Sequence, residues 1–217
     1  MRATSRAWRT RPREGPISSC ALLEGRDFFI LTSNVDGQCA RVFPADRLCR
    51  YQGDMAYLQC SQPCHDRVYP ALEIIRALDG ARRGVELPPE LLPRCPDCGR
   101  IMVPWVRDDG FLEGEMWRGE LERYRAFLRR LLMRKKPAKL LLLELGVGEM
   151  TPAVIQLPFW QLAARNPSAF YARLNRDETS PPEHLRGRSL HVRGDLADTM
   201  GALLARVQQR SKGETPS

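Results

Sequence analysis

Apolar residues along this chain keep two rhythms. Phe28–Leu31 and Leu140–Leu145 are short, nearly unbroken runs without polar alternation, the pattern of strands buried on both faces of a parallel sheet. The first opens into Thr32, Ser33 and Asn34, the second into Gly146, Val147 and Gly148. Phe170–Leu174 and Ser189–Val192 are predicted as a third and fourth strand. Between these runs the period lengthens to that of a helix. Met116, Leu121, Tyr124, Leu128 and Leu131 share one side of a segment that Pro137 closes, and Arg123, Arg125, Arg129, Arg130 and Arg134 take the other. Residues 153–165 and 195–209 read as further helices, the latter with Leu196, Met200, Leu203, Leu204 and Val207 along one face. Strands alternating with helices predict an α/β layered fold around a mostly parallel sheet.

Composition narrows the class. Of 217 residues, 43% are hydrophobic and 28% charged, enough apolar surface for a core and too much for a disordered chain. The apolar run Leu140–Leu143 is closed by Lys139 and Glu144, far short of the roughly 20 residues a spanning helix needs, so no membrane partner is expected. A secretory core is also missing near the N-terminus, where Cys20–Leu23 is the best candidate, and the expected location is cytoplasmic. Residues 1–26 read as a basic, disordered leader with five arginines before Glu14, a composition that organelle transit segments share. The net charge of +8 is concentrated in that leader and in Arg118–Lys136. The second run reads as a solvated helix face, and aromatic residues able to stack bases are sparse beside it, so nucleic acid is disfavoured as a partner.

Seven cysteines in a chain of this kind point to reduced thiols. Cys20, Cys39 and Cys49 are scattered among apolar neighbours and read as small buried hydrophobes. The other four form two close pairs, Cys60 with Cys64 and Cys95 with Cys98. Each pair can supply one edge of a tetrahedron of thiolates, with Pro63, Pro96 and Gly99 supplying the turns. Four sulfur ligands leave no open position for water, so the expected ion is a structural Zn2+. His65, next to Cys64, is expected to be an exposed knuckle residue and not a ligand.

Glycines after an apolar strand let backbone approach a phosphate or ribose, and Gly146-Val147-Gly148 holds that position, with Thr151 where a third glycine would complete the dinucleotide fingerprint. A tight turn would explain the same residues. Asn34 with Asp36, and Asn175 with Asp177, stand at two other strand ends, where ligands of open α/β sheets collect. Their side chains suit ribose hydroxyls, and equally suit loop capping.

These residues resemble those of the sirtuins, NAD-dependent protein deacylases and ADP-ribosyltransferases. Thr32-Ser33-Asn34-Val35-Asp36 is similar to the family's Thr-Gln-Asn-Ile-Asp segment. Gln52-Gly53 stands where most sirtuins have His-Gly, and Tyr57–Cys60 leads into the four-cysteine module. Gly146-Val147-Gly148 resembles the Gly-Thr-Ser turn, Asn175-Arg176 the ribose-contacting strand end, and Gly194-Asp195 the adenine-side loop. Gln52, the Cys-x3-Cys pair and the phrase Gln59–Asp66 resemble the macrodomain-linked branch, whose members are similar to protein ADP-ribosyltransferases.

The resemblance implies a Rossmann-like domain over 27–210, a zinc module at about 57–106 inserted in it, and a tail over 211–217. It implies NAD+ as co-substrate, with Thr32, Ser33, Asn34, Asp36 and Gln52 toward the nicotinamide ribose, and Gly146, Val147, Gly148, Asn175, Arg176 and Asp195 bordering the adenosine. Asn34, Asp36 and Gln52 would be catalytic. The implied partners are a protein substrate, with a lipoylated carrier as a candidate, and a macrodomain hydrolase that reverses the transfer. The family's opening glycine-rich segment finds no match, so the sheet is expected to be incomplete on its N-terminal side. A glutamine amide takes up no proton at neutral pH, whereas the deacylation base must; transfer of ADP-ribose is thereby favoured over deacylation. The alternatives are a conventional NAD-dependent deacylase, or a catalytically inactive, zinc-stabilised fragment that acts as a binding protein.

Overall fold

The computed structural model describes residues 22–82, 84, 88–134, 138–148, 152–177 and 180–211. Most of the expected leader, most of the tail, Cys20, Pro137 and Thr151 lie outside the described residues. The described chain forms two compact units, residues 30–124 and residues 22–29 with 125–211.

In the first unit, β1 (Ile30–Thr32) pairs in parallel with β2 (Leu48–Arg50), Thr32 opposite Arg50. The link between them holds a short helix, α1 (Gln38–Val42), and a single 3-10 turn at Ala45–Arg47. The rest of the unit is an antiparallel sheet in which β3 (Gly53–Cys60) lies between β4 (Tyr69–Pro70) and β5 (Met102–Val106). The helix α2 (Leu72–Ala81) follows β4. Leu58, Cys60, Ala71, Cys95 and Met102 make the core here, with Tyr69, Ile74 and Ile75 against it.

The second unit carries the parallel sheet β6 (Leu140–Leu145), β7 (Ala169–Asn175) and β8 (Ser189–Arg193), in that spatial order. Leu140 stands opposite Ala169, and Asn175 opposite Arg193. The crossovers run through α4 (Gln156–Arg165) and a 3-10 turn at Glu183–Leu185, and α5 (Leu196–Ser211) follows β8. Leu142, Ala163, Ala169, Tyr171 and Leu185 form its core, lined by Phe159, Trp160 and Leu162. The long helix α3 (Glu115–Leu132) is divided between the units after Tyr124. Its arginines 123, 125, 129 and 130 are exposed, as the periodicity implies.

Several boundaries differ from the sequence reading. The first strand begins at Ile30, not Phe28, because its partner β2 begins at Leu48, opposite Ile30; the Phe29 ring packs 5.6 Å from that of Phe127. α3 ends at Leu132, well before Pro137. α4 begins at Gln156, after a turn over 152–155. Cys49 is fully buried as expected, whereas Cys39 is only half-buried. No described helix is long and apolar enough to cross a membrane.

Candidate functional site

The four paired cysteines converge. Their Sγ atoms all lie within 4.8 Å of one another, with Cys60 and Cys98 at 3.5 Å and Cys64 and Cys95 at 3.6 Å. A tetrahedral zinc with sulfurs at 2.3 Å needs S···S edges of roughly 3.8 Å, so the residues fit that ion. Cys60 arrives at the end of β3. Cys95 and Cys98 sit on a tight turn in which the Gly99 N–H reaches the Cys95 carbonyl at 2.9 Å and Gly99 adopts φ +72°. The thiols titrate unequally: the Arg100 backbone N–H holds Cys98 down to about 6, while contact with Cys98 and burial push Cys64 up to about 12. A divalent cation relieves such crowding by taking thiolates outright. His65 departs from expectation: it is half-buried, packed edge-on to Tyr69, with Nε2 3.3 Å from Cys95 Sγ.

The second cluster surrounds the turn between β2 and β3. Thr32, buried at the end of β1, accepts the Asn34 N–H on its hydroxyl at 3.1 Å, and its carbonyl accepts the Tyr51 N–H at 3.0 Å. Ser33 is half-buried and Asn34 exposed. Asp36 accepts the Gln38 N–H at 3.0 Å and so opens α1. Gln52 is half-buried on the turn, its carbonyl accepting the Arg107 N–H at 2.9 Å. Gly53 follows at φ +85°, where any Cβ would run into the Trp105 carbonyl.

This turn is clamped from both sides by residues that sequence reasoning missed. On one side Arg50 is held by Glu120, which accepts its backbone N–H at 2.8 Å and its guanidinium, and by Asp54 at 3.1 Å. Burial opposes that charge most strongly of any single cause, but the hydrogen bond and charge of Glu120 together with the Asp54 and Tyr57 hydrogen bonds outweigh it and raise the Arg50 pKa. On the other side the Tyr51 carbonyl accepts Trp117 Nε1 at 3.0 Å and Arg107 Nε at 3.4 Å. The Arg107 guanidinium lies over Phe111, Trp117 and Tyr51, at 4.4, 4.9 and 5.4 Å from the ring centres, and binds Glu113 at 2.8 Å. The cluster of aromatic residues from Trp105 to Trp117 was the available signal. A cavity of about 220 Å³ lies in the same unit, with Asp36, Arg41, Arg50, Asp54 and Tyr57 in its wall.

In the second unit the glycine turn has the geometry its residues suggest. Gly146 is at φ +61°, Val147 is buried, and open space surrounds Gly148 where a side chain would stand. Asn175 Nδ2 donates to the Val147 carbonyl at 2.8 Å. Arg176 pairs with Asp195, whose other oxygen caps α5 by accepting the Ala197 N–H at 2.8 Å. That pairing with Arg176, followed by the Asp198 and Ala197 amides, holds the Asp195 carboxyl below its ordinary value.

No protein-family model matches the chain. It is 30% identical over 201 residues to a protein ADP-ribosyltransferase of Staphylococcus aureus, covering 90% of this chain and 62% of that one. It is 31% identical over 192 residues to a probable bifunctional ADP-ribose hydrolase/ADP-ribosyltransferase of Fusarium oxysporum, covering 83% of this chain. The chain thus spans 62% and 31% of these relatives' lengths. Among solved structures, Sir2Tm bound to a propionylated peptide superposes with a TM-score of 0.64 at 16% identity, over 95% of this chain and 76% of that one. A Sir2 homologue in complex with ADP-ribose gives 0.60 at 18% identity, over 97% and 74%. This chain therefore has the fold of the Sir2 structures, and in sequence it is similar to one protein named a protein ADP-ribosyltransferase and one named a probable bifunctional ADP-ribose hydrolase/ADP-ribosyltransferase.

Proposed function

We propose that this chain catalyses NAD-dependent transfer of ADP-ribose to a protein side chain, with nicotinamide released. The observation that carries the reading is Gln52, an amide on a rigidly clamped turn. Asn34, Asp36 and Gln52, with Thr32 and Ser33 beside them, are assigned to the nicotinamide ribose. Gly146, Val147, Gly148, Asn175, Arg176 and Asp195 are assigned to the adenosine half. In transfer, the bond from the ribose carbon to nicotinamide breaks and one to the acceptor nucleophile forms, so the enzyme's task is to hold the ribose in line with the acceptor. Gln52 can donate to or accept from a ribose hydroxyl without changing protonation state, which serves that task and not the proton abstraction of deacylation. Cys60, Cys64, Cys95 and Cys98, whose sulfurs converge, would hold a structural Zn2+, which would cross-link the knuckles without entering the chemistry.

The acceptor is a protein, with a lipoylated carrier domain the first candidate and a macrodomain hydrolase the expected reversing partner. The fused hydrolase and transferase named for the Fusarium relative supports the latter. The test incubates the purified chain with labelled NAD+ and a lipoylated carrier domain, reading nicotinamide release and label on the carrier. Transfer that Gln52→Ala reduces at least tenfold is the expected result. Calorimetry showing no saturable NAD+ binding would leave only the zinc-stabilised fragment, and NAD-dependent turnover of an acetyl-lysine peptide at comparable rates would restore the deacylase.

A further inference from the structure

Strand β7 carries a buried arginine between Tyr171 and Asn175 of the same face. Arg173 is 1% exposed and stands in register with Glu144 of β6, equally buried. Its Nε donates to Glu144 Oε1 at 2.7 Å, while Glu144 Oε2 accepts the Tyr171 hydroxyl at 2.6 Å. The two Nη groups reach both oxygens of Asp177, at 2.8 and 2.9 Å. Asp177 Oδ2 then accepts one hydrogen of Asn175 Nδ2 at 3.1 Å, and the same nitrogen donates to the Val147 carbonyl at 2.8 Å. A continuous row of polar contacts therefore joins the sheet interior to the middle of the glycine turn.

Stability alone does not account for this row. Taking a carboxylate and a guanidinium out of water costs several kcal/mol per ion, and aliphatic residues of similar volume would fill the sheet as well or better. Leu142 and Ala169, which do so on the same face, are 3% and 2% exposed. Aliphatic side chains cannot, however, aim an amide at a chosen carbonyl. The buried Val147 side chain anchors one side of the turn, open space surrounds Gly148, and the Asn175 amide fixes the carbonyl between them.

We propose that Glu144, Arg173 and Asp177 are positioning residues for dinucleotide binding: they lock the Asn175 amide onto the Val147 carbonyl and so set the backbone of Gly146–Gly148 for a ribose or phosphate oxygen. This rests on the NAD+ reading above. Asp177 has a side chain 29% exposed, so Asp177→Ala breaks the row without leaving a core cavity. Glu144→Gln keeps the core shape, removes the charge that faces Arg173 and the Tyr171 hydroxyl without touching the turn itself, and serves also if the first variant fails to fold.

Calorimetry with NAD+ on the full chain is expected to show roughly tenfold weaker binding for each variant, with the kinetic loss falling on KM for NAD+ more than on kcat. Amide NMR resonances of Gly146 and Gly148 and the Asn175 side-chain amide should shift or broaden in both. Leu142→Ala, a core control, should lower the melting temperature while leaving those resonances and the NAD+ affinity of the folded protein in place. Unchanged turn resonances and affinity in the two variants would overturn the positioning role while the NAD+ reading stands. A wild-type chain that fails to bind NAD+ would overturn that reading and the proposal with it.

Discussion

Gln59 is 1% exposed in the middle of the antiparallel sheet, and both ends of its amide are used. Nε2 donates to the Gly110 carbonyl at 2.7 Å and Oε1 accepts the Leu112 N–H at 2.8 Å, bracketing the loop that presents Phe111 to Arg107. Gln59→Leu keeps the volume and strands two backbone groups, a loss of about 2 to 4 kcal/mol, measurable by urea unfolding. Transfer activity should fall with it, because the Phe111 ring supports the arginine that binds the Gln52 carbonyl. Gly53 makes a harder demand. Gly53→Ala places a methyl against the Trp105 carbonyl at φ +85°, and neither backbone segment can move without opening the β3 to β5 pairing. Loss of about 3 kcal/mol or more is expected, or failure to fold. Wild-type stability in Gly53→Ala would mean that the turn is not built as described.

At the scale of elements, the capping of α5 gives a pH signature. The Asp195 carboxyl is held down first by Arg176 and then by the Asp198 and Ala197 amides, so folding favours its ionised form. That contribution is complete above the unfolded-state value near 4 and fades as pH falls through the lower folded value. Unfolding midpoints should therefore drop more steeply below about pH 4 in the wild type than in Asp195→Asn, which keeps a capping oxygen but not the charge. Parallel slopes would remove the ion pair from the account. Strand β6 was legible because Leu140–Leu143 is continuously apolar, but the expectation of burial on both faces does not hold in this sheet, where Leu141, Phe170 and Leu190 are exposed. The antiparallel strands were not legible. β3 mixes Asp54, Gln59 and Cys60 with apolar residues and shifts register between Asp54 and Leu58, and β5 carries Pro104. At the site, the thiol cluster was readable because its four cysteines fall in two close pairs along the chain. The clamp on Gln52 was not, since Arg50, Arg107, Trp117 and Glu120 meet only through tertiary packing.

For the whole molecule, the two cores differ in what holds them. Cys60 and Cys95 belong at once to the thiol cluster and to the core of Leu58, Ala71 and Met102, so in the first unit a bound metal would draw on the same residues as the packing. Leu142, Ala163, Ala169, Tyr171 and Leu185 hold the second unit with aliphatic and aromatic contacts and no cysteine. The purified chain should contain one zinc, and a strong chelator should strip it more readily as pH falls, because protons compete for thiols such as Cys64 that resist ionisation. Metal loss returns thiols such as Cys64 to the protonated form, and the 95–101 turn is then closed by its few backbone bonds, the Arg94 hydrogen bond to the Gly99 carbonyl and the exposed Arg67–Asp97 pair. Hydrogen exchange should consequently accelerate first in the 95–101 turn, β5 and the end of β3, and the melting temperature should fall by several degrees, as a loss of a few kcal/mol implies. Exchange in β6 to β8 should hold its zinc-bound rate over the same interval. Uniform acceleration through both units would show instead that the ion supports a single cooperative body, and a zinc-free preparation with unaltered exchange would show that the four cysteines serve the core by packing alone.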